Sequence, residues 1–98
     1  MPGVELLRTR VILSEFSFAE LIVWRLPAPV AGSTHRLKYR LAYVVHERCV
    51  LRYDNESGKG DHRHEGRVEH KYRFSTVEKL IEDFEADIQR WNRENRDS

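Results

Sequence analysis

At 98 residues, with 40% hydrophobic and 34% charged side chains, the chain has room for one domain, residues 1–98, around one modest core. Its apolar runs, Leu21 to Trp24 and Leu41 to Val45, fall far short of a membrane span, Met1 to Val4 does not open a signal peptide, and a lone cysteine, Cys49, excludes an internal disulfide. A cytoplasmic protein with no membrane partner is expected, and Cys49, in an apolar context, is expected to serve packing.

The net charge of +1 hides an asymmetry: residues 1 to 74 carry thirteen Lys or Arg against nine Asp or Glu, and residues 75 to 98 carry four against seven. Thirteen of the seventeen basic residues are arginine, whose planar fork matches phosphate and carboxylate. The body therefore suits an anionic partner, either nucleic acid or an acidic protein segment.

In chain order, Val4 to Leu13 reads as a first strand, and a turn near Ser14 to Ser17 leads into a second, Phe18 to Leu26. Both faces of that second strand are largely apolar, which predicts a central or covered position. Glu20 is the exception, expected near a strand end reaching water. Pro27 to Ser33 is a loop, because two prolines and a glycine break the pattern. From Leu37 to His46 apolar residues alternate with Lys38 and Arg40, the period of a third strand. His46-Glu47-Arg48 turns tightly into a fourth, Cys49 to Asp54. Arg36, Lys38, Arg40 and Arg52 are placed to share one basic surface, and Tyr39, Tyr43 and Tyr53 fit half-buried core positions. Val68 to Phe74 is the fifth strand. Ser75 and Thr76 mark a helix start, with Ser75 and Glu78 at capping-box spacing. Val77, Leu80, Ile81, Phe84, Ile88 and Trp91 then recur at helical intervals as a buried stripe, and Asn92 to Ser98 should fray. The expected fold is α+β: a mainly antiparallel sheet of about five strands with one long C-terminal helix packed on a face.

The segment Tyr53 to His64 stands apart. It holds two glycines, two histidines and several charges but no aliphatic side chain, so only polar contacts can fix it. As a plain loop, Asn55 to Gly60 would use Gly58 and Gly60 for positive φ. If Asp61 to His64 is extended, His62 and His64 share one side and Asp61 and Arg63 the other. Two neighbouring imidazoles can serve as base and acid near neutrality.

Leu51-Arg52-Tyr53-Asp54-Asn55-Glu56 and Gly58-Lys59-Gly60-Asp61-His62-Arg63-His64, together with Ile22 to Pro27, Lys38 to Leu41, Asp83-Phe84 and Asp87-Ile88, resemble the TumE family of toxin components from bacterial toxin–antitoxin pairs. The resemblance covers nearly the whole chain. It implies a small toxin neutralised by a cognate antitoxin that carries a helix-turn-helix domain; it leaves the chemistry to the residues.

Those residues fit metal-independent RNA cleavage, which needs no cofactor. His62 and His64 would be the acid–base pair, Asp61 or Asp54 would orient an imidazole, and Lys59, Arg63, Arg52 and Arg40 would hold phosphate. A metal-dependent nuclease built on His62, His64 and a carboxylate is one alternative, although His-x-His alone is a weak metal signal. A non-catalytic toxin that blocks a nucleic-acid or translation target is another, and self-association into a homo-oligomer stays open. The antitoxin is expected to cover the basic strand surface or the Lys59 to His64 loop.

Overall fold

The computed structural model describes residues 3–29, 32, 34–56 and 58–96. Six strands form one antiparallel sheet: β1 (Val4–Ser14), β2 (Ser17–Arg25), β3 (Leu37–Val45), β4 (Arg48–Asp54), β5 (His62–Glu65) and β6 (Val68–Lys71). Each lies beside its neighbour in sequence, in the order β1-β2-β3-β4-β5-β6. The helix α1 (Val77–Asn95) follows. The fold is α+β as the alternation and the terminal stripe require, with one strand more than expected. His62 to Glu65 carries no aliphatic residue, so hydrophobic periodicity could not reveal it as a strand.

Alternation sorts the sheet into two unlike faces. Ala19, Leu21 and Val23 of β2, Tyr39, Leu41 and Tyr43 of β3, and Leu51 and Tyr53 of β4 meet Leu80, Phe84 and Ile88 of α1 in the core. The three tyrosines are buried, so none offers a stacking surface to a ligand. Two of their hydroxyls tie the layers together: that of Tyr43 donates to Asn92 Oδ1 at 2.6 Å and that of Tyr53 to Asp87 Oδ2 at 2.9 Å. The helix covers only one face. β2 is therefore second from an edge rather than central, and its second apolar face, with Phe18, Ile22 and Trp24, is half-buried without a covering layer.

Several local expectations are corrected. The helix is capped by Thr76, whose hydroxyl accepts from the Lys79 N–H at 3.0 Å, in place of the Ser75–Glu78 box. Helical structure also persists through Asn95, past the expected fraying point. Cys49 is exposed, because a register shift between Tyr43 and Val44 alters the alternation where β4 begins. His46 and Glu47 make the two-residue β3–β4 turn with φ of 50° and 67°, the primed-turn geometry that matches strand twist.

Candidate functional site

The uncovered face of the sheet carries two adjacent rows, rich in ionisable residues, that run across all six strands. In one, register places Arg10 opposite Glu20, Glu20 opposite Ala42, Ala42 opposite Arg52, Arg52 opposite His64 and His64 opposite Glu69. In the next, Arg8, Ile22, Arg40, Asp54, His62 and Lys71 follow one another in the same way. The sequence-predicted His62, His64, Asp54, Arg52 and Arg40 thus share one face. Glu20, expected near a strand end, lies mid-strand, accepting from Arg10 at 2.7 Å with Arg40 3.7 Å away.

The imidazoles of His62 and His64 stand 6.4 Å apart, centroid to centroid. His62 is 7% exposed, and its Nδ1 lies 3.0 Å from the Gly60 carbonyl oxygen. A carbonyl only accepts, so Nδ1 carries the proton and Nε2 of the neutral ring is the basic nitrogen. His64 is more open, with Nε2 3.3 Å from Glu69 Oε2. Burial and the neighbouring Arg52 guanidinium hold its pKa below the ordinary histidine value, against the pull of Asp54 and Glu69. His64 is therefore neutral at pH 7. The Arg52 Nε–H donates to Asp54 Oδ2 at 2.6 Å, and a cleft of about 330 Å³ beside the pair is lined by Arg40, Arg52, Asp54, Glu56, Lys59, His64 and Glu69.

Asp61 and Arg63 go to the other side, as extended alternation demands, and their contacts there are structural. The Arg63 fork donates to both carboxylate oxygens of Asp87, at 2.6 and 3.0 Å, while Arg90 and the Tyr53 hydroxyl also bind Asp87. Burial alone would raise the Asp87 pKa, but the hydrogen bonds from Arg63, Arg90 and Tyr53 outweigh it and hold it low. Arg63 is a strut between β5 and α1, turned away from the histidines, and lacks the geometry for the phosphate role expected of it. Asp61 does orient an imidazole, but that of His35. The Leu37 N–H donates to His35 Nδ1 at 3.1 Å, so Nε2–H donates to Asp61 Oδ2 at 2.7 Å, beside the Tyr39 hydroxyl at the same distance. With both nitrogens engaged and its ring stacked 4.0 Å from Phe74, His35 is a rivet.

Asn55, next to Asp54, ties the end of β4 to the β3 backbone. It is fully buried, accepts from the Tyr39 N–H at 3.0 Å and donates to the Leu37 carbonyl at 2.6 Å. Its side-chain amide thereby extends the β3–β4 ladder past the end of β4 and fixes where the polar loop departs. Gly58 and Gly60 take positive φ, 78° and 92°, and the Gly60 backbone packs so closely on Gly32 that a Cβ at Gly32 would sit 2.5 Å from Gly60 N. These contacts present Lys59 at the rim of the cleft. Spacing found the histidines and arginines, but not Glu69, Asn55 or Asp87. The Asp87 signal was its place among the quoted motifs, on the same helix as the apolar stripe.

Among the described residues no group of three His, Cys, Asp or Glu side chains is arranged to hold a metal ion, and no helix is long and apolar enough to cross a membrane. Searches of curated proteins and of solved structures gave no match. The family model described as Toxin TumE matches residues 4–92, a span that takes in every strand and the helix up to Asn92, and by that match the chain belongs to the TumE toxin family.

Proposed function

We propose that this toxin is a metal-independent endoribonuclease acting on the uncovered face of its sheet, and that a cognate antitoxin with a helix-turn-helix domain restrains it in the cytoplasm. The observation that carries the reading is the convergence of His62, His64, Asp54, Arg52 and Arg40 on two adjacent rows of that face. His64, neutral at pH 7, takes the proton from a ribose 2′-hydroxyl, and the 2′-oxygen attacks the adjacent phosphorus. The 5′-oxygen leaves with a proton from His62, which the step requires in its imidazolium form. Arg40, Arg52 and Lys59 offset the charge gathered on the phosphorane oxygens. Asp61 and Arg63 are positioning residues, which hold the start of β5 and anchor it to the helix.

One observation favours binding without chemistry: His62 is 7% exposed, so a phosphate must settle deeply to reach it. Incubation of the protein with total cellular RNA, with and without EDTA, separates the readings. Cleavage that persists in EDTA, leaves 2′,3′-cyclic phosphate and 5′-hydroxyl ends, and falls at least 10²-fold in His62→Ala and in His64→Ala is expected. Retained toxicity in the double variant would leave only the binding reading; cleavage that needs a divalent ion would favour a metal enzyme.

A further inference from the structure

The two edges of the sheet are built differently. β6 is four residues long and exposes Glu69, His70 and Lys71, a short charged edge that discourages strand addition. β1 is eleven residues long and exposes Val4, Leu6, Val11, Ile12 and Leu13, at 42 to 69%. No strand lies on its outer side among the described residues. On the helix side a groove of about 480 Å³ runs beside it, its floor apolar with Val11, Leu13, Leu21, Phe84 and Ile88 and its helix rim polar with Glu85, Gln89 and Asn92. On the opposite side Arg8 and Arg10, both more than half exposed, head the two charged rows.

We infer that β1 is the edge on which the antitoxin docks, by adding an extended segment as a seventh strand with apolar side chains in the groove and acidic ones against Arg8 and Arg10. Strand addition satisfies the free backbone groups, while alternate side chains supply specificity. A second copy of this chain is the poorer occupant. A two-fold pairing of β1 with itself along most of its length sets Arg8 or Arg10 against an arginine of the other copy, and like charges directly opposite are destabilising. An acidic segment meets the same two arginines as partners, in exchange with Glu5 and Glu20, which pair with them at 2.6 and 2.7 Å in the isolated chain. This inference rests on the toxin–antitoxin reading alone, and it differs from the contact expected on the basic strand surface or the Lys59 to His64 loop. β5 lies four strand spacings from β1, roughly 19 Å, so an added strand leaves His62 and His64 uncovered and the remainder of the antitoxin must reach them.

The test uses two probes, a short synthetic peptide of alternating valine and glutamate and the same peptide with lysine in place of glutamate, together with hydrogen exchange on the intact protein. The acidic peptide is expected to bind at least ten-fold more tightly, to slow exchange in residues 4–14, and to leave RNA cleavage unchanged. Val11→Lys should abolish binding at unaltered Tm. If that variant does not fold, Arg8→Glu, at an exposed site, should shift the preference toward the lysine peptide. The complex purified with the antitoxin should show the same protected strand. Equal binding of both peptides, protection confined to residues 59–64 in the antitoxin complex, or concentration-dependent dimerisation that buries β1 would each overturn the assignment. Because peptide affinity, hydrogen exchange and strand protection are read without RNA, loss of the nuclease reading would leave this one standing.

Discussion

Asn55 performs with its side chain what a strand residue performs with its backbone, accepting from Tyr39 and donating to Leu37 at a fully buried position. Asn55→Asp keeps the size and the acceptor but loses the donor, and it faces the Leu37 carbonyl with an anion. Two-state denaturation should show a loss of about 2–4 kcal/mol, and a change under half a kcal/mol would show that the ladder does not need this amide. Asp87 is the other residue whose partners decide its role. Its lowered pKa means that folding favours the ionised form, so the stabilisation is complete above the unfolded carboxylate value of ~3.9 and is lost as pH falls through the lower folded value. Asp87→Asn should therefore cost about 2–4 kcal/mol at pH 7, discounted for the partial exposure of Arg63 and Arg90. The gap to the native protein should narrow as the pH falls below the unfolded carboxylate value; a gap independent of pH would remove the charge from the explanation. Neither role was legible beforehand. A sequence shows that an Asn or Asp is present, whereas its worth here comes mostly from partners sixteen to thirty-four residues away, Arg90 alone being near Asp87 in the chain.

At the scale of elements, the helix was the most legible part, because Leu80, Phe84 and Ile88 recur at the period of one face and all three are buried. Phe84→Ala empties a site 1% exposed and should cost about 3–5 kcal/mol; melting within a degree or two of the native protein would show that the stripe does not form the core. The strands β1 to β4 were legible for the same reason, with period two in place of 3.6. β5 was not, since polar contacts made elsewhere, such as the Arg63–Asp87 pair, hold it in the sheet. The side assignment of His62 and His64 still followed from chain geometry, because alternation needs no knowledge of what lies on either face. Alternation also separated Arg63 from the histidines, which is why its charge alone misled about phosphate.

For the whole molecule, the helix divides the work of the sheet: the side it covers carries the core and the Arg63–Asp87–Arg90 cluster that anchors β5, and the side it leaves bare carries the histidine rows. The bare side sets the pH response of the proposed chemistry. Burial and Arg52 lower the His64 pKa, so the acid limb of kcat/KM should lie below ~6.5. Arg52→Leu removes one of those causes and should move the limb upward as well as reducing the rate. A limb that stays in place while the rate falls would make Arg52 a phosphate ligand only. The most direct measurement compares cleavage of a single-stranded RNA, in EDTA, with the same strand carrying a 2′-deoxyribose at the cleaved position. Cleavage of the RNA with a terminal 2′,3′-cyclic phosphate, and at least 10³-fold slower cleavage of the deoxy-substituted bond, is the expected result. Equal cleavage of the two strands would contradict 2′-hydroxyl attack at the His62–His64 face.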